Sequence, residues 1–158
     1  MNKKNKGFTL IEMLVVVAVI GLLASLILVG LSSFRTRGRD TRRVADTKEI
    51  QNGLELYYMK NGKYPTSVST WQDLESALVN AGIGITKIPQ DPNYSSSNPE
   101  ATYRYGVSDD GQHYVIGVKI EDEDANSSLL DSDIDNNHLS SLNISGIDCD
   151  DPVYCVGM

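Results

Sequence analysis

The residue least in keeping with its surroundings is Glu12, a carboxylate inside the apolar stretch FTLIEMLVVVAVIGLLASLILVGL. From Phe8 to Leu31 the only other polar side chains are Thr9 and Ser25. A carboxylate among apolar groups is costly without a partner. Glu12 is therefore either an accidental acid at the margin of the stretch or a group that awaits a cation. A pair formed there would be stronger than one at a surface, because the surroundings exclude water. The other reactive side chains are Cys149 and Cys155, near the end of the chain. Their spacing, with no second pair, excludes a zinc knuckle. In an oxidising compartment they can close a small loop worth roughly 2 kcal/mol. Free thiols are the alternative.

No catalytic residue emerges. His113 and His138 are the only histidines, neither lies in a motif with a nucleophile, and no Gly-rich phosphate loop is present. The expectation is that the chain is not an enzyme. Asp131, Asp133 and Asp135 have the spacing of the first three ligands of a calcium loop. Asn136 stands where that loop needs glycine and Leu142 where it needs glutamate, so an EF-hand is excluded. Asp148, Asp150 and Asp151 form a second acidic group.

The elements that carry these residues follow from periodicity. At ~1.5 Å per residue, Met13 to Leu31 makes a helix about as long as a bilayer's hydrocarbon core is thick. It has no polar face, so a membrane span is expected. Beyond it, Val44, Ile50, Leu54, Tyr57 and Tyr58 recur at helical spacing, with Arg42, Arg43, Lys48, Glu49 and Glu55 between them. The helix is expected to continue from Phe8 to about Lys60, a rod of ~80 Å. Asn61-Gly62, followed by Tyr64-Pro65, ends it. Ser69 or Thr70 can cap a short helix from Trp71 to about Asn80, with Leu74, Ala77 and Leu78 on one face. Residues 103–107 and 114–120 alternate about Asp109-Asp110-Gly111 and predict a hairpin covering the long helix. Its tyrosines are expected to pack with wet hydroxyls. From Glu121 the chain is acidic and rich in Asn and Ser. There Leu139, Leu142, Ile144 and Ile147 are the expected anchors, as strand or loop.

Charge is unevenly spread over the 158 residues. Residues 66–158 hold sixteen acidic and three basic side chains, whereas residues 35–65 hold eight basic and four acidic ones. An acidic outer domain argues against nucleic-acid binding by that surface. Arg35, Arg37, Arg39, Arg42 and Arg43 could contact DNA, but stacking aromatics are missing beyond Phe34. The simpler reading is a belt against lipid head groups or acidic residues of neighbouring subunits. Counting basic residues alone would put this belt in the cytoplasm, against Lys3, Lys4 and Lys6 on the other side of the span.

Lys6-Gly7-Phe8-Thr9-Leu10-Ile11-Glu12, followed by the apolar run, resembles the amino terminus of type IV pilins and pseudopilins. The resemblance implies that a prepilin peptidase cuts between Gly7 and Phe8 and N-methylates Phe8. It implies that Glu12 pairs with the freed amine of a neighbour and guides subunits into a helical filament. Gly21 matches a glycine near which the helix can loosen. Where many pilins have proline about eight residues later, this chain has Val29-Gly30, and Gly30 weakens a helix by ~1 kcal/mol relative to Ala. Gly62-Lys63-Tyr64-Pro65 and Pro89-Gln90-Asp91-Pro92 resemble elements of the pseudopilin branch. A Cys149–Cys155 loop would be similar to the cysteine-closed loops of many pilins. Some pseudopilins bind calcium in their terminal loop, but their ligands cannot be matched here, so no cofactor beyond an open calcium alternative is expected. The resemblance also implies lysine-leader-in topology, with the head outside.

The expected fold is α+β. A long amino-terminal helix, half membrane-spanning and half amphipathic, packs on a small antiparallel sheet, with an irregular acidic C-terminal region. Residues 1–7 are the leader, 8–34 the membrane and filament-core helix, and 35–158 the remaining helix and head. The expected function is that of a structural subunit of a pilus-like homo-oligomeric filament. Its partners would be the prepilin peptidase, an inner-membrane assembly platform and, before assembly, the cytoplasmic membrane. The filament would be periplasmic or extracellular. The alternative is a minor pseudopilin that recognises cargo or primes a secretion or DNA-uptake system.

Overall fold

The structure is a computed structural model. It describes residues 8–144 and 147–158, and within these the side chains of residues 26–30 lie outside the description. The elements run α1 (Leu10–Asn61), α2 (Trp71–Asn80), β1 (Arg104–Val107), β2 (Tyr114–Lys119), α3 (Glu123–Leu130), α4 (Asn136–Ser141) and β3 (Val153–Gly157). The chain divides into two compact units, Met1–Thr36 and Arg37–Met158.

In the first unit, α1 is apolar and exposed on every described face: Phe8, Leu10, Ile11, Leu14, Val17 and Leu22 are each more than 60 % accessible. The expected membrane span is not shown. Among the described residues no helix is long and apolar enough to cross a membrane, and residues 26–30 fall within the apolar run.

The second unit is an α+β head in which the amphipathic part of α1 packs against a three-stranded antiparallel sheet of order β1-β2-β3. Ile50 and Leu54 on α1 meet Leu74 and Leu78 on α2, and Tyr114, Ile116 and Val118 on β2. The helix stops at Asn61 because Gly62 turns the chain at φ +71°, a conformation that side chains resist. Thr70 caps α2 with a reciprocal capping box, its hydroxyl accepting from the Asp73 N–H while Asp73 accepts from the Thr70 N–H. The hairpin pairs Val107 with Tyr114 and Tyr105 with Ile116, and Gly111 at φ +69° makes its turn. Its tyrosine hydroxyls are not wet, as expected, but bonded within the protein. Tyr103 donates to Asp46 at 2.7 Å and Tyr105 to the Pro65 carbonyl at 3.1 Å.

The C-terminal region is not irregular. It supplies α3, α4 and β3, and β3 pairs Val156 with Ile116 and Tyr154 with Val118. The reason lies in β2, whose two faces are both buried. Tyr114, Ile116 and Val118 face the helices, while Val115 faces a second core made by Leu139, Ile144 and the cysteines. Cys149 and Cys155 form a disulfide with Cα atoms 5.8 Å apart, and both are fully buried. Asp133, between α3 and α4, accepts the Cys155 N–H at 2.6 Å through one oxygen. Its other oxygen is buried without a partner. Burial, with Asp135 and Asp151 adding like charge, pushes its carboxyl up to about 6.

A polar network begins the buried face of α1. The Arg43 guanidinium is 3 % exposed and grips Asp91 with both ends, Nε to Oδ2 at 2.7 Å and Nη2 to Oδ1 at 3.0 Å. It also donates to Asp40 at 2.7 Å and pairs with Glu121 at 2.6 Å. Asp40, 1 % exposed, accepts from the backbone N–H groups of Glu121 and Asp122 as well, at 3.1 and 3.0 Å. Arg39 pairs with Glu121 and Arg37 with Asp122, the latter at 3.0 Å. Hydrogen bonds from Arg39 and Arg43 hold the Glu121 carboxyl down at about 2.

Two measurements check this account. Arg43→Met strands two buried carboxylates and should lower the head's unfolding free energy by about 3–5 kcal/mol in denaturant titrations. Arg37→Met, at a pair more open to solvent, should cost under about 1 kcal/mol; equal losses would show that burial is not what matters. Asp133 binds its proton more tightly folded than unfolded. The stability from this group is therefore complete below about pH 4 and lost as pH rises through about 6. Asp133→Asn, whose side-chain carbonyl can still accept from Cys155, should flatten stability between those limits; an unchanged slope would contradict the assignment.

Candidate functional site

The amino-terminal segment builds its site from the start of α1. The Thr9 N–H and hydroxyl both donate to Glu12 Oε2, at 2.8 and 2.9 Å, and the Glu12 N–H reaches the Thr9 hydroxyl oxygen at 3.3 Å. This is a capping box, with the carboxylate at the positive end of the helix dipole. Glu12 is thus already engaged within its own chain, and Oε1 makes none of these bonds. The Thr-x-x-Glu pattern carries that signal in plain sight, yet reading Glu12 only as an acid among apolar groups passes over it. Phe8 is 80 % exposed beside it. Gly7 and the rest of the leader lie outside the described residues. Gly21 sits within α1, where an added Cβ would meet nothing within 4 Å. Gly30 is also within α1, among the residues whose side chains lie outside the description.

The arginine cluster is largely paired within the head, while Arg35 is exposed and the side chains of Arg37 and Arg42 are 58 % and 65 % exposed. Arg37, Arg39 and Arg43 are engaged by Asp122, Glu121, Asp91 and Asp40 of the same head, and Arg42 stands 3.8 Å from Asp46. Sequence reading placed Arg43 on the outer face because a hydrophobic period cannot count a charge as core. The signal lay in spacing: Asp40, Arg43, Thr47, Ile50 and Leu54 are all buried and recur every three or four residues. Asp91, within Pro89-Gln90-Asp91-Pro92, receives the Arg43 fork and the Asn93 N–H at 2.7 Å.

The remaining candidates have local partners. Ser108, in a cleft with Asp110 and His113, donates to Asp110 at 2.6 Å and accepts the backbone N–H of His113 at 2.9 Å. It is not paired with an imidazole as a nucleophile would be. A cleft of about 420 Å³ between the start of α2 and β1 is lined by Trp71, Tyr94, Tyr103, Arg104 and Tyr105. The Trp71 indole N–H is bound to the Pro89 carbonyl at 2.9 Å. For calcium, the donor set is wanting: among the described residues no group of three or more His, Cys, Asp or Glu side chains could hold a metal. Asp133 serves Cys155, and Asp148 accepts from Asn136 at 2.9 Å and from the Asp150 N–H at 3.2 Å.

Residues 2–28 match the family described as the prokaryotic N-terminal methylation motif. The type II secretion system core protein G of Escherichia coli (strain K12) is 32 % identical over 130 residues, covering 73 % of this chain and 88 % of that protein. The protein of the same name in Klebsiella pneumoniae is 32 % identical over 124 residues, covering 73 % and 83 %. That of Aeromonas hydrophila is 34 % identical over 103 residues, covering 58 % and 69 %. No solved structure matches. The motif lies on the Thr9–Glu12 cap and the likeness continues into the head, so the chain belongs to the type IV pilin and pseudopilin family.

Proposed function

We propose that the chain is a structural subunit of a pseudopilus-like filament, made as a membrane precursor and assembled by packing of α1 with copies of itself. The observation that carries this reading is the match of residues 2–28 to a methylation motif that encloses Gly7, Phe8 and Glu12. Residues 1–7 act as the leader, 8–34 as the span and filament core, and 35–158 as the remaining helix and head. The precursor sits in the cytoplasmic membrane, leader inside and head outside. The exposed apolar surface of α1 supports this, since a surface so extensive needs lipid or other copies around it. A prepilin peptidase cuts between Gly7 and Phe8 and methylates the freed amine. The relatives' names make a secretion system's assembly platform the natural partner.

Moving the helix from lipid into a bundle of like helices gains little hydrophobic energy, because lipid is as apolar as leucine. Packing and the Glu12 carboxylate then supply the register. Thr9 holds the carboxylate at the helix end, and the Phe8 amine of the neighbour is its cation. Gly21 and Gly30 are where α1 can loosen as it packs. The chain works by assembly rather than by turnover of a substrate, and the Cys149–Cys155 bridge holds the head's second core in an oxidising compartment.

Electron microscopy of sheared material, with mass spectrometry of the mature amino terminus, tests the whole. Filaments whose subunits begin at methylated Phe8 are expected. A retained leader on a solitary membrane protein would overturn the reading, and filaments seen only with other subunits would make this a minor component. Glu12→Ala should block or disorder filaments while the head still folds; abundant ordered filaments from that variant would remove Glu12 from its role. Gly7→Ala should leave an unprocessed precursor in the membrane fraction, visible as a slower band on a gel.

A further inference from the structure

The arginines that follow the apolar run pose a problem for a subunit that must leave a bilayer. Unpaired basic side chains next to a span bind anionic phospholipid head groups, each raising affinity about fivefold. Five of them, at positions 35, 37, 39, 42 and 43, would hold the precursor where it stands. In the structure Arg35 is exposed and in none of the ion pairs among the described residues, whereas the other four each have a carboxylate. Arg37 meets Asp122, Arg39 meets Glu121, Arg42 lies near Asp46, and Arg43 is enclosed by Asp40, Asp91 and Glu121. Two of these carboxylates stand side by side just past β2, and Asp40 holds their backbone in place through both N–H groups. Four guanidinium groups thus meet five carboxylates, and with Arg35 counted the local charges balance.

We infer that the folded head masks Arg37, Arg39, Arg42 and Arg43, so that of the five arginines after the apolar run Arg35 is the one left to tether the subunit to an anionic lipid surface. The inference rests on the membrane reading above. It gives the acidic pair Glu121-Asp122 a task that a clamp alone would not require. A buried ion network is a poor source of stability compared with apolar packing. Masking needs charges of opposite sign at these positions, which apolar packing cannot provide.

The test uses the full-length chain reconstituted in vesicles of mixed phosphatidylglycerol and phosphatidylcholine. The vesicles are floated, the protein is extracted in mild detergent, and the retained lipids are measured by mass spectrometry. The wild type should enrich phosphatidylglycerol no more than about fivefold, the share of Arg35. E121Q/D122N removes the carboxylates that face Arg37 and Arg39 and should enrich phosphatidylglycerol up to roughly 30-fold over the wild type at low salt. Asn is itself a good helix cap, so α3 keeps its start. D122N alone, which removes only the carboxylate facing Arg37, covers the case in which the double variant fails to fold and should give about fivefold enrichment over the wild type. Adding R37Q/R39Q to the double variant should return the ratio to that of the wild type, which repair of a mere clamp would not do. Equal enrichment in wild type and variants, or none in either variant, would overturn the inference while leaving the filament reading intact. A chain that does not float with the vesicles would overturn both.

Discussion

The head depends on one buried cation. Arg43 enters the protein interior with its charge, and that charge is held only because three carboxylates from three separate stretches converge on it. A guanidinium taken out of water has to have its donors matched in direction as well as in sign. Asp91 meets its fork edge-on, Asp40 comes from the preceding turn of α1, and Glu121 comes from the end of β2. The loop before the sheet and the segment after β2 are thereby referred to the same turn of one helix. Asp40 carries the constraint further, because its oxygens also fix the backbone from which α3 starts.

The second organising constraint is the double burial of β2. Its helix-facing residues join the core with Ile50, Leu54, Leu74 and Leu78. Its other face would meet water unless something covered it, and the chain after residue 121 does so. Leu139, Ile144 and the Cys149–Cys155 bridge lie against Val115, and β3 completes the sheet. Acidic side chains in this segment are arranged around that duty. Asp122 caps α3, Asp133 receives the Cys155 N–H, and Asp148 braces the chain before the bridge. The cost is left at Asp133, whose second oxygen has no partner, and its raised protonation range follows from that.

Function divides along the same lines. The amino-terminal unit is chemically simple, and its one carboxylate is shaped by local bonds to Thr9. Nothing distant is required to place it, which is why a short motif suffices to mark it. In the head, Arg37, Arg39 and Arg43 face carboxylates of the same unit.

How much was legible in the residues depends on how far apart the interacting groups lie. The long helix, its stop at Asn61-Gly62, the cap at Thr70 and the hairpin about Gly111 are set by neighbours three or four positions away, or by turn residues, and those can be read directly. The Gly7-Phe8 and Glu12 motif is legible for the same reason. Arg43 against Asp91 and Glu121, Arg37 against Asp122, and β3 beside β2 join positions many tens of residues apart. No periodicity encodes such meetings, and a charged side chain looks exposed until its partners are seen. The amino-acid order alone therefore determined the helices, the turns and the family's amino-terminal signature. Only the tertiary structure decided which charges are buried, because burying a charge requires partners that the folded chain alone brings together.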